Sequence, residues 1–463
     1  MYFKQFYLGC LAHASYLIGS KGEAIVVDPQ RDVDEYIEEA AKAGLVIKYI
    51  IETHLHADFV SGHKELAEKT AAQIVISELA KLAIPHLPVK DGDKLSVGAL
   101  ELTILATPGH TMESICILVN DKEEKAPGKL LTGDTLFIGD VGRPDLVSAF
   151  GIDQVTMATH LYESLKKLTA LPPETEVYPA HGAGSLCGKN ISSANSSTIG
   201  EQIKFNMALK PMSQDDFVTL MTTDLPEIPA YFGKAVATNR AGARALDSVP
   251  KLTELTVEEV KARLAEGVIL LDVRDPGEFG AGHIKGSVNI GLNGQFASFS
   301  GILLPEKQLI VVGNKTQAEE ALKRQARAGL ENVIGYIDAF SGTVKWPEPL
   351  ATIAQMSVTG LAELKEKQED LFVLDVRRKG EYESGHVPQA KSLPLSELET
   401  RLGELDKSVK MHVICAGGYR SSMACSLLVR HGFENLVNIQ GGTMAWRKAG
   451  LPVESEKQPA CSA

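Results

Sequence analysis

The chain has 463 residues, of which 44% are hydrophobic and 23% are charged, an ordinary composition for a globular protein. At about 150 residues per domain, this length predicts roughly three domains. The 47 basic and 59 acidic residues give a net charge of −12, which argues against nucleic acid or an anionic membrane surface as a partner. The absence of a long apolar run or export signal, and six cysteines without a paired framework, predict a cytoplasmic protein.

Residues 1–245 alternate short β-branched runs with amphipathic helical patterns. The run "EAIVVDP", for example, is followed by the helical pattern "VDEYIEEAAKAG". Gly and Pro stand at most of the junctions and indicate turns. This pattern predicts one α/β domain built from packed layers.

Four segments of this first domain follow predicted strands and contain histidine or aspartate. They are "THLHAD" with His54, His56 and Asp58, "ATPGHT" with His110, "LLTGDTL" with Asp134, and "VYPAHG" with His181. Imidazole and carboxylate groups delivered to one edge of a sheet are suitable ligands for a divalent transition metal. The sequence therefore predicts a metal site at this edge.

The four segments, in this order, resemble the metallo-β-lactamase superfamily, and within it the branch of glyoxalase II and persulfide dioxygenase. The resemblance covers about residues 1–240 and implies a four-layer αββα sandwich. Where a dinuclear hydrolase of this superfamily has a further His after the Asp of its first segment, this chain has Phe59. A phenyl ring cannot bind a metal, so we expect an empty second position and one mononuclear site.

The resemblance to persulfide dioxygenases implies one Fe(II) bound by His54, His110 and Asp134, the ligand set of non-heme iron oxygenases. The other polar residues of the four segments would then orient the ligands and water; they are His56, Asp58 and His181. The alternative is zinc bound by His54, His56 and His110, as elsewhere in the superfamily.

Two further residues of the first domain are candidates for binding or relaying substrate. "GRPD" resembles the segment with which persulfide dioxygenases reach their thiol substrate, so Arg143 is a candidate for binding a carboxylate or phosphate bidentately. The alternative is an ion pair with Asp145 or Asp140. Cys187 lies in the loop "GAGSLCGKN", which resembles a loop of dioxygenase–rhodanese fusions, and is either a sulfur relay or an ordinary buried cysteine.

From about residue 250 the sequence repeats itself at a spacing of 103 residues. "VILLDVRDPGEFGAGHIKGS" (268–287) aligns with "LFVLDVRRKGEYESGHVPQA" (371–390), and "GLENV" (329–333) with "GFENL" (432–436). The repeat predicts two tandem α/β domains with parallel sheets, at 250–350 and 355–453. The polar tail at 454–463, which contains Cys461, is predicted to be flexible.

The second copy contains a nucleophile in a loop between a predicted strand and a helix. In "CAGGYR", Gly417 and Gly418 allow backbone N–H groups to turn towards Cys415, and the helix dipole adds positive potential. Both effects stabilise a thiolate or a persulfide. Arg420 supplies positive charge for an anionic sulfur donor. Together with "LDVRRKGEYESGH", this loop resembles the rhodanese family over residues 357–452, which implies a sulfurtransferase.

The first copy lacks these groups. At the repeat spacing, Val312 replaces the cysteine and Gln317 replaces the arginine of the loop. This copy is therefore predicted to be catalytically silent and to serve packing, dimerisation or positioning.

Together, these resemblances imply a persulfide dioxygenase–rhodanese fusion that acts in sulfide detoxification. The metal domain would use O2 to oxidise a low-molecular-weight thiol persulfide to sulfite, and Cys415 would pass sulfane sulfur to sulfite to give thiosulfate. Two alternatives stay open: a zinc thioester hydrolase resembling glyoxalase II with accessory rhodanese domains, and a non-oxygenase carrier or sensor of sulfane sulfur. We expect a homo-oligomer with no nucleic-acid or membrane partner.

Overall fold

The computed structural model describes residues 1–456 except 147–150, 189–190, 224, 226–227, 250–251, 305–306, 343 and 368–370. The chain forms two compact units, Met1–Pro250 with Gln325–Leu330, and Lys251–Arg324 with Glu331–Ala463. Most of the predicted tail at 454–463, including Cys461, lies outside the described residues. Within the described ranges, no helix combines the length and the apolar character that crossing a membrane requires.

The first unit contains two six-stranded sheets. Its strands are β1 (Tyr2–Leu8), β2 (His13–Ser20), β3 (Glu23–Val27), β4 (Val46–Ile51), β5 (Gln73–Ser77), β6 (Leu87–Val89), β7 (Lys94–Val97), β8 (Leu100–Ala106), β9 (Ile115–Asp121), β10 (Lys129–Gly133), β11 (Glu176–Pro179) and β12 (Ser197–Thr198). Its helices are α1 (Asp34–Lys42), α2 (His63–Thr70), α3 (Gln154–Thr169), α4 (Ile199–Phe205), α5 (Gln214–Thr222) and α6 (Phe232–Ala241). One sheet has the order β1 to β6 and the other the order β12 to β7.

The two sheets pack face to face with helices on the outside. Strand β2 shows why both faces of the first sheet are apolar: Tyr16 and Ile18 belong to the core between the sheets, whereas Leu17 packs with α1 and α2. Helices α3, α4 and α5 cover the second sheet through a separate apolar cluster. A strand buried on both faces is expected to show a continuous apolar run, as β2 does. The predicted αββα sandwich is confirmed.

The second unit contains a four-stranded and a five-stranded sheet, in the orders β14-β13-β15-β16 and β17-β21-β20-β18-β19. Its strands are β13 (Ile269–Asp272), β14 (Val288–Asn289), β15 (Leu309–Val312), β16 (Val333–Ile337), β17 (Ala354–Ser357), β18 (Val373–Asp375), β19 (Lys391–Ser392), β20 (Met411–Ile414) and β21 (Leu436–Gln440). Its helices are α7 (Val257–Ala265), α8 (Pro276–Ala281), α9 (Phe296–Leu303), α10 (Lys315–Arg327), α11 (Val358–Lys367), α12 (Lys379–Glu383), α13 (Tyr419–Arg430) and α14 (Gly442–Lys448). All pairs within these two sheets are parallel, as predicted.

The residues shared by the two repeats make the same contacts in each copy. Arg274 Nη2 lies 2.6 Å from Asp272 Oδ2, and Arg377 Nη2 lies 2.6 Å from Asp375 Oδ2. Each arginine also donates to a backbone carbonyl eight residues later in the chain. All four side chains are buried, so each pair fixes the chain between the end of a strand and the following turn. The motif shared by the repeats therefore has a structural role in both copies.

Candidate metal centre and sulfur-transfer loop

Three side chains from separate loops converge in the first unit. His54 follows β4, His110 lies between β8 and β9, and Asp134 follows β10. Asp134 Oδ2 lies 3.5 Å from His110 Nε2 and 3.9 Å from His54 Nε2. All three side chains are buried, and one ligand atom from each lies within 4.8 Å of the other two. The structure thus brings together the three residues that the sequence nominates as iron ligands.

Hydrogen bonds behind the two imidazoles fix their orientation. His110 Nδ1 donates to the carbonyl oxygen of Arg143 at 3.0 Å. His54 Nδ1 lies 2.9 Å from Thr53 Oγ1, whose own proton is donated to Asp28 Oδ2. Each Nε2 therefore keeps its lone pair for a metal, as carbonyl- and carboxylate-linked histidine ligands do.

The donor set fits a divalent metal ion. Asp134 Oδ2 is buried and has no hydrogen-bond partner among the residues that the structure describes. Burial lowers the pKa of His54 well below its ordinary value and also lowers the pKa of His110. Burial opposes ionisation of Asp134, but His181, His54 and His110 outweigh it and hold the pKa of Asp134 well below its usual range. Two neutral imidazoles and a carboxylate are the protonation states that metal binding requires.

His181 links two carboxylates next to this cluster. Its Nδ1 donates to Asp134 Oδ1 at 2.7 Å, and its Nε2 lies 2.8 Å from Asp58 Oδ2. Burial opposes a charge on His181, but the two carboxylates outweigh burial and raise its pKa well above the ordinary value. The bond from His181 thus leaves Oδ2 of Asp134 for a metal, and the orienting role of His181 and Asp58 stays a prediction.

His56 points away from Asp134 and towards two carboxylates that the sequence analysis missed. Its Nε2 lies 3.1 Å from Asp28 Oδ1 and 3.5 Å from Glu52 Oε2. Its Nδ1 has no hydrogen-bond partner within the described part of the chain. One ligand atom from each of His56, Asp28 and Glu52 lies within 4.8 Å of the others, whereas the alternative zinc site requires His56 beside His54 and His110. Both carboxylates follow buried apolar strands, β3 and β4, and an acidic residue at such a position is a signal that could have identified them.

Phe59 fills space within this histidine network. The side chain is 1% exposed, and its ring centroid lies 4.0 Å from that of His13 and 4.3 Å from that of His56. His13, which the sequence analysis also missed, is buried and pairs through its backbone with His181. Nothing in the segment "CLAHAS" distinguishes His13 from a core histidine, since its neighbours come from distant parts of the chain.

The guanidinium of Arg143 is engaged by a neighbouring carboxylate. The side chain is 2% exposed and binds Asp145 through two hydrogen bonds of 2.7 Å, from Nε and from Nη2. Its carbonyl oxygen orients His110, as described above. The ion pair with Asp145 is the alternative that the geometry supports. Substrate binding by Arg143 stays a prediction.

Cys187 lies close to Asp58 and His181, and one ligand atom from each of the three lies within 4.8 Å of the others. The cysteine is 1% exposed. Burial, with the nearby charges of Asp58 and Asp134, raises the pKa of the Cys187 thiol well above its ordinary value. Because the thiolate is the nucleophilic form, this environment disfavours the sulfur relay, which stays a prediction.

A cavity of about 430 Å³ is lined in part by residues next in sequence to the metal ligands. Leu55 and Ala57, which alternate with His54 and His56 along the chain, line one wall, and Thr111 lies beside His110. The cavity is lined mainly by apolar groups, with Lys81 and Arg240 as its cationic groups. Its size and composition are those of a site for a small organic molecule.

In the second unit, Cys415 follows β20 and is 1% exposed. The backbone N–H of Gly418 donates to Cys415 Sγ at 3.1 Å, and Ser421 Oγ lies 3.4 Å from the same sulfur. Gly418 has φ of 96°, a conformation that favours glycine, and helix α13 begins at the next residue. The predicted combination of a backbone donor and a helix N-terminus is thus present at the thiol.

Arg420, predicted to attract an anionic donor, is paired with a carboxylate. Its Nη1 and Nη2 each lie 2.7 Å from an oxygen of Glu381. Burial opposes ionisation of Glu381, but Arg420 outweighs burial and lowers the pKa of Glu381. The guanidinium is thus already engaged by Glu381, and its predicted role in binding an anionic sulfur donor stays a prediction.

The corresponding loop of the first copy is closed by a different interaction. Asn314 Oδ1 accepts from the backbone N–H of Gln317, and Gln317 Oε1 accepts from the backbone N–H of Asn314, each at 2.9 Å. These side chains occupy N–H groups at the start of the helix that could otherwise bind an anion. The strand registers pair Val312 with Asp272 and Ile414 with Asp375, so Gly313, and not Val312 as the repeat spacing predicts, stands at the position of Cys415. This copy therefore has neither the nucleophile nor an open anion site in this loop.

Comparisons with known proteins agree with this division. The sequence model of the Metallo-beta-lactamase superfamily matches residues 8–181, and that of the Rhodanese-like domain matches residues 256–345 and 357–449. A hydroxyacylglutathione hydrolase from Methylobacillus flagellatus is 30% identical over 232 residues, which are 48% of this chain and 80% of the relative. Its counterpart from Francisella tularensis subsp. novicida is 36% identical over 183 residues, 39% of this chain and 68% of the relative.

The match with one similar solved structure covers more of the chain than the first unit contains. The crystal structure of a metallo-beta-lactamase from Staphylococcus aureus subsp. aureus COL is 31% identical to this chain, with a TM-score of 0.66. The match covers 73% of this chain and 98% of that chain.

Proposed function

The chain belongs to the metallo-β-lactamase superfamily, with two rhodanese-like domains after the metallo-β-lactamase domain, and we propose that it is an iron-dependent persulfide dioxygenase coupled to a sulfurtransferase. It oxidises a low-molecular-weight thiol persulfide to sulfite and transfers sulfane sulfur to give thiosulfate, in sulfide detoxification. The observation that supports this most directly is the buried ring of Phe59, which packs against His56, whose own ring centroid lies 4.1 Å from that of the ligand His54. It favours a single metal over the paired metals of a hydrolase.

In the first reaction, His54, His110 and Asp134 hold the metal, and His181 keeps Asp134 oriented. Bound Fe(II) supplies the redox chemistry by which O2 reacts with a persulfide. The overall reaction is RSSH + O2 + H2O → RSH + SO3²⁻ + 2 H⁺. The mainly apolar cavity lined by Leu55 and Ala57 receives the thiol compound. Glutathione, coenzyme A, bacillithiol and cysteine are all thiols of suitable chemistry.

In the second reaction, the Cys415 thiolate attacks the outer sulfur of a second persulfide, and the S–S bond breaks to release RS⁻. The product on the protein is a Cys415 persulfide. Sulfite then attacks the outer sulfur, thiosulfate leaves, and the Cys415 thiolate is restored. The Gly418 N–H and the N-terminus of α13 stabilise the anionic sulfur in both steps.

A zinc-dependent thioester hydrolase is the second candidate. One observation favours it: the relatives named hydroxyacylglutathione hydrolase. The substitution of Phe59 for a metal-binding residue opposes it, as does the presence of a cysteine-containing rhodanese-like domain.

The deciding experiment measures O2 uptake by the anaerobically iron-loaded chain with a small-thiol persulfide, together with the amounts of sulfite and thiosulfate. We expect uptake that is lost in His110→Ala and retained in His86→Ala, a histidine outside the ligand cluster. Cleavage of a thioester by tightly bound zinc, without O2 uptake, would instead establish the hydrolase.

A further inference from the structure

Helix α13, which begins in the sulfur-transfer loop, is enclosed on all sides. Its residues 421–428 are all buried. A helix that covers one face of its own sheet normally buries only one stripe of side chains. Eight consecutive buried residues therefore require cover on the opposite side as well. Part of that cover comes from the first rhodanese-like copy, in the same compact unit.

Asn289 of the silent copy makes two buried hydrogen bonds to this helix. Its Oδ1 accepts from Ser422 Oγ at 2.7 Å, and its backbone N–H donates to Ser426 Oγ at 3.0 Å. Asn289 lies on β14, the edge strand of its sheet, and its Nδ2 donates to the carbonyl oxygens of Asp272 and Arg274. The side chain is thus fixed within its own copy and binds the helix of the other.

Tyr419 extends this contact to the loop itself. Its hydroxyl donates to the carbonyl oxygen of Gly291 at 2.6 Å. A Cβ added to Gly294 would lie only 2.9 Å from two atoms of the Tyr419 ring. The ring therefore packs against backbone that a larger residue at 294 would displace. Tyr419 directly follows Gly418, whose N–H binds Cys415 Sγ.

We propose that the silent copy positions the sulfur-transfer loop, with Asn289 and the 291–294 segment as its positioning residues. They hold Ser422 and Tyr419, and so hold the first turn of α13 and the Gly418 N–H against the reacting sulfur. A small displacement of such a donor weakens stabilisation of the anion without removing the nucleophile. This inference rests on the proposed sulfur transfer by Cys415.

A double-mutant cycle in the full chain tests the coupling across the two copies. Gly294→Ala changes only the silent copy, and we expect it to lower kcat for sulfur transfer from thiosulfate to cyanide about tenfold, with a smaller change in KM. In a Tyr419→Ala background the same substitution should cause no further loss, because the ring that it displaces is gone. Tyr419→Phe, which keeps the ring and loses only the hydroxyl, should have an intermediate kcat.

Arg430→Met is the matched control. Arg430 also bonds a backbone carbonyl of the silent copy, that of Gly286 at 2.6 Å, but from the far end of the same helix. We expect Arg430→Met to change the unfolding temperature but not kcat. An Arg430→Met loss equal to that of Gly294→Ala would show general destabilisation and overturn the positioning role. Losses from Gly294→Ala and Tyr419→Ala that simply add would also overturn it.

A second readout separates this inference from the proposed function. The rate of Cys415 alkylation by iodoacetamide, followed by mass spectrometry, reports the surroundings of the sulfur without turnover. If the native chain transfers no sulfur, the proposed function fails. The alkylation rates of the native chain, Gly294→Ala, Tyr419→Ala and the double variant still test the coupling. Alkylation rates that are unchanged by Gly294→Ala would overturn the inference even if the native chain is active.

Discussion

His181 donates from Nδ1 to Asp134 Oδ1 at 2.7 Å and so leaves the other carboxylate oxygen of Asp134 directed at two imidazoles. His181 also belongs, with Asp58 and Cys187, to a group whose ligand atoms lie close enough together to hold a second metal. Here both of its nitrogens lie against carboxylates, those of Asp134 and Asp58. A residue that could bind a second metal is thus hydrogen-bonded to a predicted ligand of the first.

Replacement of His181 by Gln is expected to weaken iron binding about 10- to 100-fold, the usual effect of losing a partner that orients a metal ligand. Anaerobic titration of the apoprotein with Fe(II) measures this. His86→Gln, which alters a histidine outside the cluster, should bind iron like the native chain. An unchanged affinity in His181→Gln would show that Asp134 is held by other contacts.

Phe59→His is expected to introduce a second metal position next to the first. The substitution restores an imidazole beside Asp58 and His181, which already lie 2.8 Å apart. In protein purified with added zinc, the measured metal content should rise from about one to about two ions per chain, since two metals are the usual content of such a site. Phe59→Leu, which remains apolar, should stay at about one. A Phe59→His variant with a single metal would show that His181 cannot leave its carboxylates.

The sequence predicts the ligand cluster well because its residues follow strands whose ends meet at one edge of the fold. The residues His54, His110 and Asp134 each stand in a short segment with its own strand and turn signals. The surroundings of the cluster could not be predicted in the same way. Asp28, Glu52 and His13 reach it through contacts between distant segments, and no local pattern encodes them. The same holds for the bond between Asn289 and Ser422, which are 133 residues apart.

Glu381→Gln is expected to lower the KM for thiosulfate severalfold, because the uncharged amide leaves the Arg420 guanidinium available to the donor anion. Gln still accepts the backbone bond at the start of α12 that Glu381 accepts from the Arg378 N–H. The matched control is Glu278→Gln in the silent copy, where Glu278 accepts the equivalent bond from the Asp275 N–H. Steady-state kinetics with thiosulfate and cyanide measure the KM of both variants, and only Glu381→Gln should lower it. An unchanged or higher KM in Glu381→Gln would mean that Arg420 does not bind the donor.

The same ion pair predicts a pH dependence of stability. Arg420 lowers the pKa of Glu381 on folding, so the native state favours the ionised carboxylate. The stabilisation is therefore present above the unfolded pKa of about 4.5 and is lost as the pH falls through the lower folded value. The unfolding temperature of the native chain should exceed that of Glu381→Gln at pH 7, and the difference should shrink below pH of about 4. A difference that is independent of pH would exclude the carboxylate charge as its source.

Cys415→Ser should separate the two proposed reactions. The substitution removes the nucleophile but leaves the metal-binding unit unchanged, so O2 uptake with a thiol persulfide should continue. Sulfite should then accumulate in place of thiosulfate, and ion chromatography of both products measures the ratio. Cys425→Ala, which alters a buried cysteine on the same helix, should give the native product ratio. Continued thiosulfate formation by Cys415→Ser at the native rate would place sulfur transfer elsewhere, and the same assay on Cys187→Ser would then test the remaining candidate.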